Sequence, residues 1–155
     1  MKNKSISLLN KALGDELTAV QQYMYFHFHC EDQGLHMLAD MFKKTAEEEM
    51  HHIGILADRI LFLDGDIEMK ASRDIKNIIT LKEMMVHAIG MEKQSVMEYR
   101  LWSDECCKEA DATTGRIFEN LVHDEEKHYN RYNLELKNLE KYGENYLALH
   151  SLKMD

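Results

Sequence analysis

The sequence predicts an all-α protein, an antiparallel bundle of four long helices with one long crossover and a short fifth helix at the C-terminal end. The 155 residues include no proline and seven glycines, and 45% of them are apolar. Proline interrupts helices more strongly than any other residue, and a chain of this length is sufficient for one hydrophobic core. We therefore expect a single domain over residues 1–155.

Apolar residues recur every three or four positions in four long segments, which is the period of a helix with one buried face. Ser5 is the expected N-cap of the first helix, Gly34 suits the left-handed conformation common at turns, and Gly143 is the expected end of the fourth helix. The predicted helices cover about residues 5–30, 35–63, 80–109 and 116–141, followed by a short helical segment at 146–149.

The segment between the second and third helices shows no comparable stripe over residues 66–80. About fifteen extended residues reach ~50 Å, whereas a helix of about 28 residues is ~42 Å long. The segment can therefore run back along a whole helix, which predicts one long crossover between two helical hairpins.

Polar residues interrupt the apolar stripes at six positions where a core residue is due. They form the pattern E-x32-E-x-x-H, which occurs twice with an offset of 76 residues. A Glu and a His three positions apart share one face of a helix. The six residues are Glu16, Glu49, His52, Glu92, Glu125 and His128.

The spacing places these residues at one level of the bundle. In an antiparallel hairpin, two residues equidistant from the turn lie at the same height. The midpoint between Glu16 and Glu49 falls within the first predicted turn, and the midpoint between Glu92 and Glu125 falls beside the second. We therefore expect all four carboxylates and both imidazoles to meet in the core.

Four buried carboxylates require positive charge nearby, because an unpaired buried charge costs several kcal/mol. Two divalent cations nearly neutralise them, and oxygen ligands with one imidazole per metal suit iron or manganese. Glu49 and Glu125 are the expected bridging ligands, and we expect each metal to take one further Glu and one His. We expect the six residues to be both the metal ligands and the catalytic residues. Asp124 and Tyr23 are candidates for hydrogen bonds at the edge of this site.

The overall charge narrows the classes of partner. A formal net charge of -9 argues against a nucleic acid partner and favours cations. The three cysteines form no C-x-x-C motif, and no segment is apolar enough for a signal peptide or a membrane span. We expect a cytoplasmic protein with reduced thiols.

Three segments resemble bacterioferritins: ELTAVQQY around Glu16, EEEMHHIGILADRILFLDG around Glu49 and FENLVHDEEKHYNRYNLEL around Glu125. The resemblance implies a ferritin-like fold and a hollow shell of 24 subunits assembled from two-fold dimers. It implies that two iron ions per subunit form a ferroxidase centre, where Fe(II) is oxidised by O2 or H2O2, and that the shell stores ferric mineral. A ferredoxin-type reductant is a further candidate partner.

Met50 lies 100° around the helix from Glu49, so its thioether should face away from the metal site. A thioether at such a position packs at a subunit contact or ligates a soft or haem metal. The resemblance implies that Met50 is an axial ligand of a b-type haem shared between two subunits.

Two other functions remain open from the sequence. A rubrerythrin-like di-iron peroxide reductase shares the ligand pattern, although that family usually adds a rubredoxin module with paired C-x-x-C motifs, which this sequence lacks. The other is a haem-bearing assembly for electron transfer or iron release, in which the di-metal site is dispensable.

Overall fold

The computed structural model describes residues 2–152. Within that range the chain forms five helices and no strand. No helix in the described part is long and apolar enough to cross a membrane. The helices are α1 (Lys2–Asp32), α2 (His36–Phe62), α3 (Leu81–Lys108), α4 (Ala112–Tyr142) and α5 (Glu144–His150).

Helices α1 and α2 form one antiparallel hairpin, and α3 and α4 form the other. The two hairpins pack into a four-helix bundle, and α5 folds back against α4 and α2. The residues expected on the inner face of the second helix are all buried: Leu38, Phe42, Thr45, Glu49, His52, Leu56, Ile60 and Leu63. The predicted all-α fold with a short fifth helix is therefore confirmed.

Two predicted helix ends are wrong. Helix α1 begins at Lys2, so Ser5 is not an N-cap; it lies buried within the helix, 3.8 Å from the Cys106 thiol. Lys2 and Lys4 form ion pairs with Asp64 and Glu105, which stabilise the extra turn. These contacts join residues far apart in the sequence, so helical periodicity gave no sign of them.

Helix α4 begins at Ala112, about four residues earlier than predicted, because the side chain of Asp111 caps it. The turns at the two glycines agree with the prediction. Gly34 has a φ of 74° and Gly143 a φ of 52°, both in the left-handed region that glycine adopts without strain.

The long crossover is held against one face of α1 by residues at four-residue intervals, which are Asn10, Gly14, Thr18 and Gln22. Asn10 bonds the backbone of residues 66 and 68, and Gln22 donates to the Lys76 carbonyl and accepts from its N–H. Between them, the Ser72 N–H donates to the Gly14 carbonyl at 3.0 Å. A side chain at Gly14 would place its Cβ 3.1 Å from the Lys70 carbonyl oxygen, so the glycine allows this close approach. The crossover therefore follows α1 back along the bundle, as its length predicts.

The core consists of two apolar clusters, one on each side of the layer of polar residues. One cluster contains Tyr23, Phe42 and Tyr132, and the other contains Leu56 and Tyr99. The polar layer is consequently closed off from water along both directions of the bundle axis.

Asp111 ties the start of α4 to the end of α2. Its carboxylate accepts hydrogen bonds from the Thr114 N–H at 3.1 Å and from Arg59 Nη2 at 2.8 Å. Burial raises the pKa of Asp111, but the hydrogen bonds from Thr114 and Arg59 outweigh it and lower the pKa to about 2. The ionised carboxylate is therefore the form that the folded state stabilises.

We predict that Asp111→Ala lowers the free energy of unfolding by about 1–2 kcal/mol, the usual cost of losing an N-cap. Asp111→Asn keeps a capping oxygen but loses the charge that pairs with Arg59. Because the folded pKa lies below the ordinary value of 3.8, the stability difference between wild type and Asp111→Asn should be complete above pH 3.8 and shrink towards pH 2. Urea unfolding at a series of pH values measures it, with Asp58→Ala, an exposed neighbour on α2, as the control. If the stability difference between wild type and Asp111→Asn did not change with pH, the folded state would not depend on an ionised Asp111.

Candidate metal centre

The six polar residues of the repeated pattern come together in one layer of the bundle. One group consists of Glu16, Glu49, His52 and Glu125, and the other of Glu49, Glu92, Glu125 and His128. Within each group, one possible ligand atom per residue lies within 4.8 Å of the others. All six residues are at most 2% exposed. Glu49 and Glu125 belong to both groups, which is the arrangement that bridging ligands require.

Both imidazoles turn Nδ1 towards the carboxylates and Nε2 away from them. His52 Nδ1 lies 2.8 Å from Glu49 Oε2 and 3.0 Å from Glu125 Oε1. On the other side of the ring, His52 Nε2 is 3.1 Å from Asp124 Oδ2. An acceptor at Nε2 holds the proton there, so the lone pair of Nδ1 points into the site.

Glu48 has the same role for His128 that Asp124 has for His52. His128 Nε2 lies 2.6 Å from Glu48 Oε2, and Arg131 lies 3.4 Å from the same oxygen. Sequence analysis found Asp124 but missed Glu48. The signal was present, since each precedes a shared Glu by one residue.

Two buried tyrosines connect the hairpins at the level of the site. Tyr23 on α1 donates a hydrogen bond to Glu92 on α3, and Tyr99 on α3 donates to Glu16 on α1. The hydrogen bond expected for Tyr23 is therefore present. The sequence carries the same signal for Tyr99, which stands seven residues after Glu92 as Tyr23 does after Glu16.

Several buried polar atoms of the layer have no hydrogen-bond partner. His52 Nδ1 is one of them, because the angles to its neighbouring carboxylates are unsuitable despite the short distances. Glu49 Oε2, Glu92 Oε2 and Glu125 Oε1 are likewise unpaired. Buried polar groups are normally satisfied, so these converging lone pairs require a ligand. Divalent cations fit this donor set of carboxylate oxygens and imidazole nitrogens.

The ionisation of the layer shows the same need for positive charge. Burial, reinforced by the neighbouring Glu16 and Glu92, raises the pKa of Glu49 to about 8. Burial also raises the pKa of Glu92, with the charge of Glu125 adding to the effect. For His52, burial lowers the pKa, but the carboxylates of Glu125, Glu16 and Glu49 close to Nδ1 outweigh it and raise the pKa well above its usual range. Two cations in the layer would remove this repulsion.

A surface cavity of about 500 Å³ lies beside the two imidazoles. His52 and His128 line it together with Glu48 and Asp124. Lys44, Glu47, His51, Lys127 and Arg131 complete its lining. The cavity gives the buried layer an approach from the surface between α2 and α4.

Met50 lies on the outer face of α2, about 100° around the helix from Glu49, and is 58% exposed. Its thioether is thus directed away from the carboxylates, in agreement with helical geometry. Because so much of the side chain is accessible, packing within the chain does not account for its position.

Comparison with known proteins defines the class of protein. The fold and the buried carboxylate layer are those of a ferritin-like protein, and the family model of the Ferritin-like domain matches residues 6–142. The structure of bacterioferritin from Rhodobacter capsulatus superposes with a TM-score of 0.93 at 30% identity, covering 99% of this chain and 96% of that one. That structure is described as having a metal-free dinuclear site and haem iron in a crystallographic special position.

Sequence comparison narrows the class to one family. Bacterioferritin from Mycolicibacterium paratuberculosis is 32% identical over 139 residues, which are 89% of this chain and 87% of the relative. Bacterioferritin from Rhodobacter capsulatus is 31% identical over 154 residues, or 98% of this chain and 95% of the relative. The chain belongs to the bacterioferritin family.

We predict that Mn²⁺ stabilises the protein and that Glu49→Gln removes most of the effect. A cation that binds only the folded state stabilises it by about 2.7 kcal/mol at a hundred times its Kd. Glu49→Gln also removes one of four mutually repelling carboxylates, so we expect the metal-free variant to have a higher Tm than the metal-free wild type. Thermal unfolding with and without Mn²⁺ measures both effects, and Asp58→Asn, on the exposed face of α2 and outside the cavity lining, is the control. A full Mn²⁺ shift in Glu49→Gln would exclude this residue as a ligand.

Proposed function

We propose that the protein stores iron and oxidises Fe(II) at the buried layer, with Glu16, Glu49, His52, Glu92, Glu125 and His128 as metal ligands. The observation that carries this proposal is the pair of four-residue groups that share Glu49 and Glu125. Membership in the bacterioferritin family supports iron as the metal. The six residues are also the proposed catalytic residues, because they hold both reacting ions.

Within the layer, the shared carboxylates have the main role. Glu49 and Glu125 would bridge two ions, Glu16 and His52 would hold one, and Glu92 and His128 would hold the other. Two Fe(II) ions supply two electrons together, which is what reduction of O2 to the peroxide level or of H2O2 to water requires. The protein contributes rigid ligands, low water access and imidazoles whose orientation Asp124 and Glu48 maintain.

Delivery of Fe(II) to the layer depends on charge and access. The net charge of -9 attracts cations to the protein surface. The cavity beside His52 and His128 then offers a short approach, although Lys127 and Arg131 partly offset its carboxylates. We propose that Fe(II) enters from this side.

We predict that Glu49→Ala and Glu125→Ala each abolish rapid oxidation of Fe(II). Each change removes the one residue that both half-sites share, so neither ion keeps its full ligand set. Stopped-flow absorbance of Fe(III) after mixing Fe(II) with O2 measures the rate. The control is Asp58→Ala on the exposed face of α2, outside the cavity lining, which should retain the wild-type rate. Normal rates in both ligand variants would end the ferroxidase proposal.

We further propose a shell of 24 subunits built from two-fold dimers, with a b-type haem shared by two subunits and ligated by Met50 of each. The 58% exposure of Met50 supports this role, because the thioether is accessible to a second copy of the chain. The relatives named bacterioferritin and the haem iron described for the Rhodobacter capsulatus protein support it also.

The cellular setting is part of the same proposal. Cys30, Cys106 and Cys107 are all free, which suits a reducing cytoplasm. The electrons that release stored iron would come from a ferredoxin-type protein. Neither nucleic acid nor a membrane is a proposed partner.

We predict that the purified protein elutes as a large shell and shows a haem Soret band that Met50→Leu removes. A thioether ligand gives the haem its axial bond, and leucine cannot replace it. Size-exclusion chromatography with a visible spectrum tests both points, and Met97→Leu, another exposed methionine, is the control. A large shell without haem would leave iron oxidation in place but remove the haem proposal.

The same measurements separate the two other functions. A small oligomer without haem that reduces H2O2 faster than O2 would indicate a rubrerythrin-like peroxide reductase. Haem at a subunit interface, together with unchanged iron release in Glu49→Ala, would indicate an assembly for electron transfer or iron release.

A further inference from the structure

A tryptophan lies near the carboxylate layer, and one tyrosine joins the two. Tyr99 donates its hydroxyl hydrogen to Glu16, and the centroid of its ring lies 5.6 Å from that of Trp102. Phe118 packs against both rings, with centroids 5.7 Å from Tyr99 and 5.8 Å from Trp102. Tyr99 is fully buried, whereas Trp102 is only partly buried. The rings therefore form a continuous path from the layer towards the surface.

The tyrosine on the other side of the layer has different surroundings. The ring of Tyr23 packs against Phe42 and Tyr132, and all three are completely buried. Trp102 is the single tryptophan of the chain, so only the Tyr99 side of the layer leads to an indole. The layer is otherwise nearly two-fold symmetric, so the neighbouring tryptophan distinguishes the Tyr99 side from the Tyr23 side.

Among aromatic side chains, those of tyrosine and tryptophan are the most readily oxidised by one electron. Loss of an electron from a phenol requires loss of its proton as well, and Tyr99 already donates that proton to Glu16. We propose that Tyr99 and Trp102 form a one-electron relay that reduces H2O2 together with a single Fe(II) ion. This inference rests on the proposed function, because it requires Fe(II) in the carboxylate layer.

The relay addresses a mismatch in the number of electrons. H2O2 takes up two electrons, which two Fe(II) ions supply together, whereas a half-filled site supplies only one. The remaining oxidising equivalent would leave as a hydroxyl radical. Tyr99 lies within hydrogen-bond contact of Glu16 and can supply the second electron before the radical escapes.

The reaction balances in two steps. In the first, H2O2, Fe(II) and the Tyr99 hydroxyl give Fe(III), hydroxide, water and a tyrosyl radical. The O–O bond breaks, Fe(II) provides one electron, and Tyr99 provides the other with its proton, which is incorporated into water. In the second step, one electron and one proton pass from Trp102 to the tyrosyl radical, which restores Tyr99 and leaves an indolyl radical.

The test uses the assembled protein loaded anaerobically with one Fe(II) per subunit, mixed with H2O2 and freeze-quenched for electron paramagnetic resonance. Growth with ring-deuterated tryptophan labels Trp102 alone, so a signal that narrows on labelling identifies its radical. We expect this signal in wild type and in Tyr142→Phe, the control at an exposed tyrosine at the end of α4. We expect its loss in Tyr99→Phe, together with more hydroxyl radical captured by a spin trap, while Trp102→Phe should leave only a tyrosyl radical.

Three results would overturn the relay. An undiminished Trp102 signal in Tyr99→Phe would show that oxidation reaches the indole without Tyr99. Absence of any organic radical in wild-type protein that has oxidised its Fe(II), followed in the same samples, would exclude the relay and leave the proposed function intact. Failure of wild type to oxidise Fe(II) would overturn both.

A second measurement examines the coupling of the two rings without iron. Pulse radiolysis with azide radicals oxidises tryptophan selectively, and transient absorption distinguishes indolyl from tyrosyl radicals. In the metal-free protein we expect the electron to exchange reversibly between the two rings, so that part of the Trp102 radical appears as a tyrosyl radical. We expect this exchange to be lost in Tyr99→Phe and retained in Tyr142→Phe. Equal decay of the Trp102 radical in wild type and Tyr99→Phe would contradict the relay.

Discussion

The repulsion among four buried carboxylates is the constraint on which the rest of the structure depends. Glu16, Glu49, Glu92 and Glu125 are each at most 2% exposed, and they converge in two groups whose other members are His52 and His128. Each uncompensated buried charge costs several kcal/mol, so a bundle designed only for stability would place apolar residues here. Two features hold the carboxylates in place despite this repulsion. Tyrosines donate hydrogen bonds to them, and apolar clusters pack on both sides of the layer.

The near two-fold symmetry of the chain explains how so many groups meet in one layer. Each hairpin supplies one lone Glu and one Glu-x-x-His. When the two hairpins pair, the layer therefore contains two copies of each of these elements. The symmetry extends outward, since Glu48 contacts His128 as Asp124 contacts His52, and Tyr23 contacts Glu92 as Tyr99 contacts Glu16. Each hairpin therefore positions the ligands of the other, and neither half forms a site alone.

The layer itself could be predicted from the sequence because it depends on two regular quantities, the helical period and the distance of each residue from its turn. The contacts around the layer could not. The hydrogen bond from Tyr99 to Glu16 joins residues on different hairpins, and whether this tyrosine packs or bonds depends on side-chain orientation across the core. The hydrogen bonds of Asn10 and Gln22 to the crossover could not be predicted either. An irregular segment has no periodicity that would indicate which residues it contacts. Ser5 shows the opposite error: a local capping preference predicted an N-cap, but the helix continues to Lys2 and the Ser5 hydroxyl contacts the Cys106 thiol of another helix.

The two half-sites nevertheless differ in how firmly their imidazoles are held. Glu48 accepts from His128 at 2.6 Å and is itself held by Arg131, whereas Asp124 lies 3.1 Å from His52 and its side chain is 43% exposed. Burial raises the pKa of Glu48, but the hydrogen bond from His128 and the charge of Arg131 outweigh it and lower the pKa. An imidazole whose far nitrogen donates to a firmly ionised carboxylate is a better oriented and more basic ligand. This departure from symmetry lies where side chains meet solvent, and in the proposed site it would let the two ions bind unequally.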